Sequence, residues 1–140
     1  MLCCILVSPM SYGDIFFNAK KCDVDKGEIH FLIRNEGDDA VTIYLDSLPW
    51  NYSWNMNYLL CTNTELVGCF RNFKYMLNSA GRKKLIKSNS EISGVVLIDK
   101  LIESKNISHD DVSIAYWSYM FSYYVGEERH QRLYSGACAK

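Results

Sequence analysis

The 140-residue chain has almost no net charge: 15 basic residues stand against 16 acidic ones, a formal −1 at pH 7. No global field therefore draws it to nucleic acid or to an anionic membrane, and neither is expected as a partner. It also lacks any apolar run near the roughly 18 residues that a spanning helix requires, so no membrane span is expected. Catalytic signatures are missing too, with no G-x-S-x-G, Walker A, G-x-G-x-x-G or H-E-x-x-H segment. The three histidines, His30, His109 and His130, lie far apart with no second His or Cys at ligand spacing, which argues against a metal site. Asp110 and Asp111 are neighbours, but adjacent strand residues point to opposite faces, a poor arrangement for paired acid–base work. The chain is read as a non-enzyme with no catalytic residue, metal or cofactor.

What is present is a core. Hydrophobic residues make up 49% of the chain and aromatics 14%, with ten tyrosines. A domain of this length buries roughly two-thirds of the surface its unfolded chain exposes, and no repeat, low-complexity tract or linker divides it. Residues 110–124 pack β-branched and aromatic side chains into an uncharged run after two acids, without Gly or Pro, and are predicted to form the long central strand. Val112, Ile114 and Tyr116 fall on one face, and Ala115, Trp117 and Tyr119 on the other. Both sets are largely apolar, so cover on both sides is expected.

Elsewhere the turn signals are spaced for short strands, predicted at 15–17, 28–35, 40–45, within 59–77, at 91–99 and at 133–139. Residues 28–35 and 40–45 are expected to pair as a hairpin through the turn 35–39, where Gly37 can supply a positive φ. Arg82, Lys83, Lys84 and Lys87 read as a solvated loop and an edge strand protected by lysines. A helical turn is expected in 100–106, either a capping box or a simple turn from Ser108 to Asp111, and a charged turn in 126–130. The pattern gives an all-β, immunoglobulin-like β-sandwich of about seven to eight antiparallel strands. Apolar alternation, the Asn-x-Gly of residues 35–37 and renewed alternation resemble the early strands of bacterial immunoglobulin-like domains.

Residues 1–13 have the features of the second half of a secretory signal peptide, with Leu2 to Val7 apolar, a break at Pro9, and small Ser11 and Gly13 at the positions a signal peptidase reads. The mature domain is then expected to be residues 14–140, beginning at Asp14, in the periplasm or outside the cell. Four cysteines remain, an even number at wide spacing and without a C-x-x-C pair. Of the three possible pairings, Cys61 with Cys69 and Cys22 with Cys138 is favoured over free buried thiols. The first would clip a hairpin or loop, and the second would tie the first strand to the last.

Residues 47–61 interrupt the strand pattern. Pro49 cannot donate to a ladder, and Tyr, Trp and Asn then alternate. Such side chains make an adaptable binding surface, so Tyr52, Trp54 and Tyr58 are the candidate partner-binding residues, while Trp50 is expected to lid the core. Over residues 28–137, in size, leader and strand layout, the chain resembles small exported bacterial β-sandwich proteins. Among these are type VI secretion immunity proteins and hydrolase inhibitors. The resemblance implies a non-catalytic binding protein, monomer or homodimer, that neutralises a secreted effector or hydrolase. The alternative is a structural or assembly module, chaperone-like or adhesin-like, acting through a strand edge.

Overall fold

The structure, a computed structural model, describes residues 15–53, 55–62, 68–72, 81–103 and 105–140. The expected leader and Asp14 lie outside these residues. Nine strands follow in order: β1 (Ile15–Asp23), β2 (Glu28–Asn35), β3 (Val41–Tyr44), β4 (Met56–Thr62), β5 (Cys69–Asn72), β6 (Lys83–Ile86), β7 (Ser90–Leu97), β8 (Val112–Val125) and β9 (Glu128–Ala139). The one-turn helix α1 (Ile98–Leu101) lies between β7 and β8. Strands β1, β2 and β7 form a three-stranded sheet. The other six form a second sheet, β5-β4-β8-β3-β6, with β9 on the remaining side of β8. Every pairing is antiparallel. The two sheets pack face to face as an immunoglobulin-like β-sandwich.

Alternation explains the packing. In β2, Ile29, Phe31 and Ile33 point inward and are fully buried. From β8, Ala115, Tyr119, Phe121 and Tyr123 do the same, and Trp117 points inward with them, 7% exposed. Phe17 and Phe31 stack with centroids 5.3 Å apart, and Trp117 meets both edge-on at 5.5 and 5.4 Å. Each such side chain contributes about 1.5–3 kcal/mol through burial. Two strand glycines make room for indoles. A Cβ on Gly136 would lie 2.5 Å from the Trp117 ring, and one on Gly94 would lie 2.1 Å from Trp50. Trp50 covers β7 in this way and packs against the core.

Three expectations need correction. The first concerns β8, which is covered on one face only. Tyr116 and Met120 on its other face are 44% and 42% exposed, and no further layer lies over them among the described residues. The register against β4 shifts between Cys61 and Thr62, leaving Ser113 as the extra residue of a bulge. That shift turns Val112 into the core beside Ala115, while Ile114 and Tyr116 face outward.

The second is the hairpin. β2 pairs with β1 and β7, whereas β3 pairs with β6 and β8, so the turn after β2 carries the chain from one sheet to the other. The third is the role of Gly37, which is not in the left-handed region. The turn is held instead by the buried Asn35 amide, which donates to the carbonyls of Asp39 at 2.7 Å and Ile86 at 3.1 Å and accepts from the Gly37 N–H at 3.0 Å.

The cysteines pair as Cys22–Cys138, between β1 and β9, and Cys61–Cys69, at directly opposed positions of β4 and β5. The short β6 is an edge strand carrying Lys83 and Lys84. The Ser108–Asp111 capping box forms around a single 3₁₀ turn.

Candidate functional site

The expected aromatic loop does not converge on one surface. Tyr52 ends a 3₁₀ turn with a left-handed φ of 55°. It is half-buried against the core, its hydroxyl accepts the Leu97 N–H at 3.2 Å, and Lys100 Nζ lies 5.5 Å from its ring centroid. Trp54 lies outside the described residues. Tyr58 is a correction: only 4% exposed, it points inward from β4 into the core, because Met56, Tyr58 and Leu60 share the buried phase of that strand. Burial, with smaller contributions from Tyr52 and Tyr119, pushes its phenol well above the ordinary tyrosine value. A neutral core hydroxyl cannot serve as a surface anchor.

A different surface collects what the loop does not. Among the described residues six large apolar side chains are exposed, and four of them, Leu85, Tyr116, Met120 and Leu133, lie on the outer face of the six-stranded sheet. Register puts them there. Met120 opposes Leu133, Tyr116 opposes Leu59 on one side and Ala137 on the other, and Thr42 links Leu85 to Tyr124 across β3. Leu133 is the most exposed of these, at 66%. Serines and alanines from β8 and β9 fill the positions between them, so the surface is uncharged through its centre.

Two hollows indent this face. The first, of about 430 Å³, lies over Leu59, Arg71, Tyr116 and Ser118. The second, of about 610 Å³, opens where β8 leaves β4 and has not yet met β3. Tyr44 and Tyr124 wall it with rings 5.9 Å apart and nearly perpendicular, and Met120 lines it as well. Its polar lining includes Asp46, Asn55 and Asn57. Ser122 Oγ there accepts from Gln131 at 3.0 Å and from Arg129 at 3.4 Å. Asn57 lines both hollows.

The polar groups on this face are open to a partner. Among the described residues neither Arg71, Lys83 nor Arg129 meets a carboxylate, and Lys83 Nζ sits 5.3 Å from the Tyr44 ring centroid. Aromatic and thioether anchors with adaptable amides and a cationic rim have the composition of a protein interface. Sequence reasoning missed this face because Tyr116 and Met120 read as core. The signal that could have found it is Ser118 and Ser122, which share the alternation of Tyr116 and Met120, since repeated serines beside aromatics are unusual in a doubly covered strand.

The histidines are each held by a nearby carboxylate or ring. His30 Nε2 lies 3.0 Å from Glu28, His109 Nδ1 lies 2.8 Å from Asp99, and His130 stacks on Tyr123 at 5.2 Å. Among the described residues no three His, Cys, Asp or Glu side chains converge as a metal site would require, and no helix is long and apolar enough to cross a membrane.

No family model matches the chain, and no curated protein matches it. Two solved structures are similar in fold. A Bordetella pertussis protein described as ApaA has 10% identity and a TM-score of 0.42, covering 94% of this chain and 97% of that one. The ASH/PapD-like domain 7 of human CEP192 has 13% identity and a TM-score of 0.46, covering 100% of this chain and 96% of that one.

Proposed function

We propose that this protein is a binding module that docks a protein partner on the outer face of its six-stranded sheet, and that it neutralises the partner, an effector or hydrolase. One observation carries the docking reading: four of the six exposed large apolar side chains among the described residues share that face. Exposed apolar surface gathered in one place marks an interaction site, whereas scattered residues need no explanation. The small size of the domain supports the neutralising role, and the two disulfides support an oxidising compartment, the periplasm or the extracellular space. A docking face is favoured over an assembly edge, because the edge strands β5 and β6 have four residues each and the longer edges carry charge, Lys20 and Lys21 on β1 and Arg129 and Arg132 on β9.

A photo-crosslinking residue at position 120, and separately at Val95 on the opposite sheet, tests the reading in extracts of the native source. The expected result is one protein captured through position 120 alone, whose enzymatic activity falls on titration with this domain. Equal capture through Val95 would remove the docking face, and a captured protein with undiminished activity would remove the neutralising role.

A further inference from the structure

The two hollows adjoin at Asn57 and lie along β8, and from the length and charge of the trough they make together we infer that its occupant is an extended, acid-ended segment of the partner. This inference rests on the docking reading above. Both hollows share Asn57, and between them they follow β8 from Tyr116 to Tyr124. At about 3.3 Å per residue that path spans roughly 26 Å, the length of about eight residues of extended chain. A compact ligand would leave most of it empty.

The lining suits a peptide main chain. Asn55 and Asn57 make no side-chain hydrogen bond among the described residues, and each primary amide offers donor and acceptor together, the same complement as a peptide group. Tyr116, Met120 and the Tyr44–Tyr124 pair lie along the path four residues of β8 apart, about 13 Å at 3.3 Å per residue, so they meet every fourth side chain on one face of an extended segment.

Charge fixes the polarity of the ends. Arg71 stands at the β5 end, with Arg129 and Lys83 at the other, and Asp46 is the one acid among the described residues lining either hollow. The whole chain carries a slight excess of acid, so this cationic rim is local to the trough. Carboxylates at both ends of an eight-residue segment would meet these cations, with charge-assisted and bidentate pairing open to the two arginines.

Selection of a displayed library of random linear nine-residue peptides on the intact, oxidised protein tests the inference. Enriched sequences are expected to carry Asp or Glu toward both ends and apolar residues about four positions apart between. Arg71→Glu and Arg129→Glu should each weaken the synthesised peptide at least tenfold, with Arg129→Gln intermediate, while Arg34→Glu on the opposite sheet changes its affinity less than twofold. All three arginines are partly or fully exposed, and unchanged melting temperatures would show that the variants fold. No enrichment, or enriched peptides indifferent to both reversals, would overturn the extended-segment inference. If a whole partner still requires Met120 in that case, the docking reading stands alone. If the partner ignores Met120→Asp, both fall together.

Discussion

The two outer faces of the sandwich hold comparable cations and treat them in opposite ways. On the three-stranded sheet Arg34 lies 3.2 Å from Glu91 and 3.4 Å from Glu36, and His30 lies 3.0 Å from Glu28. On the six-stranded sheet Arg71 and Arg129 have no carboxylate within reach among the described residues. Cross-strand register makes the difference. Arg34 directly opposes Glu91, whereas Arg71 opposes Leu59 and Arg129 opposes Tyr124. A cation whose cross-strand neighbour is an acid is already satisfied, while one facing an apolar residue keeps its donors for another molecule.

The largest expected effect is on the frame both faces share. Replacing Cys22 and Cys138 together by Ser opens a loop of sequence separation 116 and should cost about 4–5 kcal/mol of stability in the chain-entropy treatment. Denaturant titration reads this directly. If binding per folded molecule falls as well, the faces are not independent and the contrast between them fails.

A sharper result is expected from Met120→Asp. It should weaken partner binding by about 2 kcal/mol or more, the threshold of an interface hot spot, with the melting temperature nearly unchanged because the side chain is already 42% exposed. Loss of stability with binding intact would assign Met120 to packing instead.

On the opposite face Arg34→Ala should leave binding unchanged and cost at most about 1 kcal/mol of stability, the scale of exposed ion pairs. A binding defect there would erase the distinction. The smallest effect concerns His109 and Asp99, at the end of the sandwich rather than on either face. The hydrogen bond to Asp99 raises the His109 ring above its ordinary value of 6.5, outweighing partial burial. Burial pushes the Asp99 carboxyl up, but side-chain and backbone bonds from His109 together hold it below 3.8. The His109 contribution is therefore full below pH 6.5 and fades as pH rises through the higher folded value. The Asp99 contribution is full above 3.8 and fades as pH falls through the lower one. Stability measured from pH 6 to 9 should decline slightly in the native protein and stay flatter in His109→Gln, with binding at Met120 unaffected throughout. An identical pH slope in the variant would remove the pair from the account.

Much of the frame was legible in the residues. Strand β2 occupies 28–35 as the alternation of Ile29, Phe31 and Ile33 requires, and the even, widely spaced cysteines close as expected. Partnership between strands was less legible. Alternation says which side chains share a face, yet nothing local in 35–39 distinguishes a hairpin from a crossing between sheets; the Asn35 bond to Ile86, 51 residues away, decides it. The site was hidden for a related reason. Tyr116 and Met120 have core chemistry, and only the absence of a covering layer makes them surface. Tyr58 failed in the reverse sense, since its hydroxyl suggests solvent while its place in the β4 alternation buries it.

The Cys22–Cys138 bond has a consequence outside equilibrium stability. Tension applied between the two ends of the described chain would enter near β1 and leave near β9, and those two strands are covalently joined. The load would run along β1 to Cys22, cross the sulfur atoms and exit at Cys138, leaving β2 to β8 outside its path. Pulling could peel the first residues of β1, but the docking face would keep its shape until the covalent bond itself gave way. A domain built this way can hold a partner while its ends are dragged apart.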